Sequence, residues 1–336
     1  GEGRAEPCGQ GPAHAARTVL EEVLSVTGWE AGSGPLPTLA AKEFQMTDVF
    51  QLLVAGLSIG SIYAMAAIGF VLLWQTSNTI NFAQGEFVVL PAFVMVLFLT
   101  VFRFPFAAAL VATVIVSTLL LGLLVKKVLV ERLLKMGVLP LVIATIGVSM
   151  LIRYSLQQFW TPLALPFPAI FSRQPIRVGG VIFSSEEVMN VLSAAIVIGT
   201  LQLLIRRTKL GWAMQAVAQN RDLASVLGIN VSRLVGVTFM LNAALTAVAA
   251  VLIAPVYLVK YDIGIGIGLK AFYAAIIGGF NQIRGALLGG LLVGLVETYS
   301  AAYISNQFRD AFALVILIGV LLLKPEGLLG IKEEWA

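Results

Sequence analysis

From position 46 onward the chain alternates long apolar runs with short polar breaks. The runs lie near 49–74, 87–102, 104–125, 138–160, 186–205, 235–257, 270–280, 286–303 and 309–324. Several approach the ~20 residues a helix needs to cross a hydrocarbon core, whereas barrel strands would alternate in segments of about 10 residues. With no water in lipid, a spanning segment must satisfy its own backbone polar groups, which favours the helix. The pattern predicts an all-α polytopic membrane helix bundle with about eight or nine crossings, some of them broken or half helices. One stretch is too polar for lipid. It opens at Arg206-Arg207-Thr208-Lys209, runs from Gln215 to Asn230, and has apolar runs on both sides. A water-exposed helical loop at about 206–234, held against the membrane face, is expected there.

Two further breaks differ in kind. Polar residues interrupt the apolar pattern at Asn78 to Glu86, and again where Asn281-Gln282-Ile283-Arg284 separates Gly278-Gly279 from Gly285. Short, interrupted segments in two halves of a chain point to broken helices beside a permeation path. The regions share a weak echo, Tyr63-Ala64 before Gly69-Phe70 and Tyr273-Ala274 before Gly279-Phe280, which fits an ancestral duplication or chance equally well.

Charge sets the orientation. Residues 1–45 hold six acidic and three basic side chains, and the rest hold twelve and nineteen. That basic excess sits in short loops, as the positive-inside rule requires, so it reads as topology and not as nucleic-acid binding. The loop with Lys126, Lys127, Arg132 and Lys135 and the loop from Arg206 to Arg233 are both placed in the cytoplasm, as is the tail at Lys324 to Gly327. The segment Thr161 to Ser185, with Pro162, Pro166, Pro168, Pro175 and Gly179-Gly180, is expected outside as an irregular loop or interfacial helix. Residues 1–45 read as a disordered or non-native tail ahead of a transmembrane domain at 46–336, with Met46 the expected initiator.

Composition agrees and excludes much. The chain is 59% hydrophobic and 12% charged, with mean hydropathy +0.94, against roughly 25% charged residues in soluble domains. Its single cysteine, Cys8, and single histidine, His14, lie in the tail. No Cys/His metal site, disulfide or histidine-based triad can then form in the membrane body, and no catalytic residue, metal or cofactor is assigned. There is no Gly-x-x-x-x-Gly-Lys-Ser/Thr run, so any ATP dependence comes from a partner. Gly264-Ile265-Gly266-Ile267-Gly268 lacks the βαβ setting of a dinucleotide loop and is expected to be a flexible outer loop.

A charge at the bilayer centre costs a few kcal/mol, so the ionisable residues within apolar runs draw attention. Glu86 is either part of a gate beside the substrate route or a polar turn near a helix start, where the dipole favours a carboxylate. Glu297 and Lys270 either face a cavity or pair across helices. The same alternatives hold for Arg153, which is expected instead to snorkel from a span end. The pairs Gly56 and Gly60, Gly285 and Gly289, and Gly290 and Gly294 are Gly-x-x-x-Gly motifs, which serve close helix packing or a dimer interface.

Gly56-Leu57-Ser58-Ile59-Gly60-Ser61-Ile62-Tyr63-Ala64 and Asn81-Phe82-Ala83-Gln84-Gly85-Glu86 resemble the opening of the branched-chain amino acid ABC transporter permeases, in the subunit type without a long amino-terminal extension. Ile143 to Gly147, the loop Arg206 to Asn230, and Leu269 to Ala286 agree, so the resemblance covers nearly all of 46–336. It implies a subunit paired with a second permease, two cytoplasmic ATP-binding subunits and an extracytoplasmic substrate-binding protein in a bacterial or archaeal inner membrane. It also implies a coupling loop that docks on the ATPase, here Gln215, Ala216, Asn220, Arg221, Asp222, Ala224, Gly228, Ile229 and Asn230. Candidate substrate-pathway residues are Tyr63, Asn81, Gln84, Glu86, Thr145, Tyr273 and Glu297. Gln84 departs from the histidine usual in the family, which puts a proton-linked role in doubt, and residues 1–45 are foreign to it. Competing readings are an ABC permease for urea or short amides, and a motor-independent channel or secondary transporter.

Overall fold

The computed structural model describes residues 46–127, 131–133, 138–160, 163–167, 176–178 and 181–330. The expectations for the tail, Cys8, His14 and Lys135 lie outside the described residues. The apolar runs appear as helices: α1 (Met46–Ser77), α2 (Gln84–Thr100), α3 (Phe106–Ser117) continued by a π-helical stretch (Thr118–Leu124), and α4 (Val138–Phe159). After a two-stranded hairpin come α5 (Ser185–Arg207), α6 (Lys209–Gln219), α7 (Arg221–Val226), α8 (Val231–Tyr257), α9 (Ile263–Gly278), α10 (Ile283–Tyr303) and α11 (Arg309–Leu323).

Six helices, α1, α3 with its continuation, α4, α5, α8 and α10, are long and apolar enough to cross a bilayer. α2 and α9 have 17 and 16 residues, hence about 25 Å at 1.5 Å per residue, short of the ~30 Å hydrocarbon core. Each adjoins one of the two breaks read from the sequence: the break at 78–86 leads into α2, and the break at 278–285 follows α9.

Within the segment expected outside, the described residues 176–178 and 181–183 form two short strands that the pattern did not predict. β1 (Ile176–Val178) and β2 (Val181–Phe183) pair antiparallel with Ile176 opposite Phe183 and Val178 opposite Val181, as their β-branched residues favour. Next along the same end, Leu165 and Val259 exchange backbone hydrogen bonds of 2.8 and 3.0 Å, tying the α4–α5 and α8–α9 connections together.

α1 is the axis. It packs against α10, α8, α9 and α5, and its residues 60–73 are all buried. Glycine makes that closeness possible. A Cβ at Gly60 would stand 2.8 Å from the Leu291 Cα, and one at Gly290 would strike the Ala64 backbone. The glycine pairs at 56 and 60 and at 290 and 294 therefore close α1 onto α10 within one chain, resolving their role as internal packing. Because the obstacle at Gly290 is main chain and cannot swing aside, Gly290→Leu is expected to abolish the folded bundle. The check is the monodisperse fraction after detergent extraction, which should fall to background while Gly199→Leu, at a glycine facing open space, stays near wild type.

The run Gly264 to Gly268 is not a loop but the opening of α9. Glycine is a poor helix former by about 1 kcal/mol, and tertiary contact overrides that here. Gly264 and Gly268, one helical turn apart, lie against Gly85 at the start of α2, where a Cβ on Gly268 would come within 3.1 Å of the Gly85 Cα. The two short helices thus meet backbone to backbone. The echoed positions are not equivalent either: Gly69 lies inside α1, whereas Gly279 ends α9 with φ +103°.

Candidate functional site: the broken-helix crossing and the exposed loop

Between α1 and α2 the chain runs through Asn78 (φ +55°) to Ala83 without helical structure. Local side chains hold it. The Ser77 and Thr79 hydroxyls share a 2.7 Å hydrogen bond, the Asn81 Oδ1 accepts from the Ala83 N–H at 3.1 Å, and the Thr145 Oγ1 of α4 accepts from the Phe82 N–H at 3.2 Å. The buried Asn81 Nδ2 has no partner. Unpaired buried amides cost roughly 1–3 kcal/mol.

Gln84 opens α2 fully buried and exchanges two 2.9 Å hydrogen bonds with Asn242 of α8, while its Nε2 also donates to the Ala66 carbonyl at 3.1 Å. The amide pair sits where Gly69 has no side chain; any Cβ there would overlap both amides. Three helices are thus locked by one reciprocal amide pair. Asn242 was not among the expected residues, although a lone amide in the apolar run 235–257 is the signal that marks it.

Beside this lock lies a cavity of about 290 Å³. Its walls are mainly apolar, from Phe70, Ile146, Leu269 and Phe272, and its floor is the glycine crossing. One ion pair borders it: Arg153 of α4 donates from Nε (3.1 Å) and Nη2 to Glu86 Oε1, and Nη2 also reaches the Ser149 hydroxyl at 3.2 Å. Arg153 does not snorkel outward, as its place near a span end suggested. It turns inward because Glu86, 2% exposed, offers a charge that lipid cannot.

A second charged cluster lies away from that cavity. Lys270 of α9 contacts Glu297 of α10 at 2.7 Å, Asp310 of α11 at 2.9 Å and the Tyr63 hydroxyl at 3.3 Å, and Tyr63 shares a 3.1 Å hydrogen bond with Tyr257. The Arg309 Nε lies 3.4 Å from Glu297, whose Oε2 is buried with no hydrogen-bond partner. The seven candidate pathway residues therefore fall into three groups: Asn81, Gln84 and Thr145 around the amide lock, Glu86 and Tyr273 on the cavity, and Tyr63 and Glu297 in the charge cluster.

The polar loop is helical. Thr208 caps α6 by accepting from the Gly211 N–H, and Gly211 lies so close to the Ile205 main chain that no side chain fits. Asn220 caps α7 with one oxygen shared by the Asp222 and Leu223 N–H groups. Gly228 (φ +86°) ends it: the Ile229 N–H returns to the Ala224 carbonyl and the Gly228 N–H to Ser225, a Schellman closure. Asn230 then caps α8 through the Arg233 N–H at 2.9 Å. Ala224 is buried against the bundle, while Gln215, Arg221 and Asp222 are exposed, and so are Leu223, Val226 and Leu227 at 61–83%.

Comparison with known proteins places this architecture. Residues 52–321 match the family model described as the branched-chain amino acid transport system permease component. The chain is 34% identical over 300 residues to the high-affinity branched-chain amino acid transport permease BraD of Pseudomonas aeruginosa, covering 84% of this chain and 96% of that one. It is 32% identical to LivH of Escherichia coli K12 over 86% of this chain and 98% of that one. A shorter stretch, 36% of the chain, is 30% identical to the autoinducer 2 import permease LsrC of Klebsiella pneumoniae. No solved structure matches. With the family model spanning most of the bundle and relatives aligned almost end to end, the chain belongs to the family of permease components of branched-chain amino acid transport systems.

Proposed function

We propose that this chain is one half of the translocation pore of an ABC importer for branched-chain amino acids. It would sit in a bacterial or archaeal inner membrane with the 206–234 loop and the carboxyl terminus in the cytoplasm, beside a second permease, over two ATP-binding subunits and beneath a substrate-binding protein. The observation that carries the reading is the α6–α7 loop. Leu223, Val226 and Leu227 form an exposed apolar patch on a capped helix, and such a patch marks a protein contact. Basic side chains at Arg206, Arg207, Lys209 and Arg233 flank it, consistent with the cytoplasmic side. The capped loop works as a lever: displacement of α7 by a closing ATPase would pass through α6 and α8 into the bundle.

The test is gentle purification from native membranes at natural abundance, followed by uptake assays with labelled leucine, urea and acetamide. A second permease and two P-loop ATPases in whole-number ratio, together with ATP-dependent leucine uptake, would support the reading. Arrival alone, or only with itself, would replace it with a motor-independent channel or secondary transporter, and urea or acetamide uptake without leucine uptake would replace the cargo.

A further inference from the structure

The cavity at the crossing of α2 and α9 has mainly apolar walls broken by one buried anion, Glu86, and one half-buried cation, Arg153. We propose that Glu86 and Arg153 are a zwitterion receptor, Arg153 taking the α-carboxylate and Glu86 the α-ammonium of an amino acid whose aliphatic side chain lies against Phe70, Phe272 and Ile146. This rests on the permease reading above and specifies its substrate site.

Three observations converge. The first is charge: an amino acid backbone carries one charge of each sign, and the cavity offers the complementary pair. A planar guanidinium can hold a carboxylate through two parallel N–H bonds. The second is the contact between the two charges. Either charge alone in an apolar cavity would be heavily penalised, whereas Glu86 and Arg153 in contact neutralise each other until a substrate arrives. The substrate then exchanges one internal ion pair for two external ones, so no charge is left bare at any stage. The third is size and shape. About 290 Å³ is at the lower end of the ~300–1,000 Å³ range of small-molecule sites. The space exists because Gly85, Gly264 and Gly268 bring two helices together without filling the corner beside them. Ser149 and Tyr273 are the remaining polar side chains on the wall, which leaves an aliphatic side chain favoured over a polar one.

The Lys270–Glu297 cluster does not serve this purpose. It carries two cations and two anions bound to one another across three helices, and none of them lines the cavity.

The experiment uses the intact complex in detergent and in proteoliposomes. Labelled leucine is bound to the complex without its binding protein and competed with isoamylamine, which keeps only the ammonium, and with 4-methylpentanoate, which keeps only the carboxylate. In wild type both analogues should compete at least tenfold more weakly than leucine. Glu86→Gln, which still hydrogen-bonds Arg153, should abolish competition by isoamylamine and spare that by 4-methylpentanoate, an asymmetry a purely structural ion pair would not produce. Ile146→Trp leaves the pair intact and fills the cavity from its open side, where Ile146 is 43% exposed. It should cut leucine binding at least tenfold and alanine binding less. If the wild-type complex carries leucine and both variants bind and transport it as wild type does, the receptor is overturned and the permease reading stands. If the wild-type complex carries no branched-chain amino acid, both are overturned.

Discussion

Gly228→Val should uncouple ATP hydrolysis from uptake, with transport falling on the order of tenfold while membrane insertion and ATP turnover persist. Gly228 adopts φ +86° with open space around the missing side chain, so the obstacle is the backbone and not crowding. A β-branched residue forced into that region costs about 1–3 kcal/mol, and each 1.4 kcal/mol is a tenfold change in an equilibrium. The cheapest escape is to open the Schellman closure that returns Ile229 to Ala224, which unwinds the end of α7 and frees Val226 and Leu227 from their fixed presentation. Because that loop is exposed, the bundle itself should survive. Parallel measurement of uptake and ATPase rate in proteoliposomes checks this, with Gly228→Asn as the control, since asparagine tolerates left-handed backbone. Wild-type uptake in the valine variant would count heavily against a docking role for α7.

Lys270→Met should be the most destabilising single change at a charged position in the bundle. It removes the cation that faces Glu297, Asp310 and Tyr63 at once and leaves Glu297, with its side chain 3% exposed and one oxygen already unsatisfied, dependent on Arg309. Breaking a buried pair from one side costs about 3–5 kcal/mol, and the residual Arg309 contact puts the expected loss at the low end. The double variant Lys270→Met/Glu297→Leu should recover most of the lost stability, because the remaining Arg309 and Asp310 stand 3.7 Å apart and balance each other. Thermal unfolding in detergent distinguishes the cases. Equal losses in single and double variants would mean that shape, not charge, holds α9 to α10.

What the sequence made legible follows the strength of the constraint acting on it. Lipid demands a continuous apolar run, so the spans were readable to within a few residues, and the polar loop stood out because Arg206 to Asn230 could not be among them. The breaks at 78–86 and 278–285 were visible for the same reason. What escaped depends on partners far away in the chain. Gly264 to Gly268 reads as a loop until Gly85 lies against it, Arg153 reads as a snorkelling end until Glu86 faces it, and Asn242 stands out as a lone amide but gains a role only when Gln84 completes its pair. The paired strands at 176–178 and 181–183 were hidden by the prolines and glycines around them. None of these carries a local period; each is a meeting of two elements that pattern reading treats one at a time.

The burial of α1 bears on how the molecule is made. α1 leaves the ribosome before the other described helices, yet the surface that accepts Gly56 and Gly60 belongs to α10, more than 200 positions later. Contacts of such sequence separation form late and slowly. Until residues 283–303 are synthesised, the face of α1 at Gly56 and Gly60 lacks the backbone it closes on. A ribosome stalled before Ile283 therefore leaves an assembly intermediate with α1 open along its Gly56 and Gly60 seam, a ready substrate for membrane quality-control proteases.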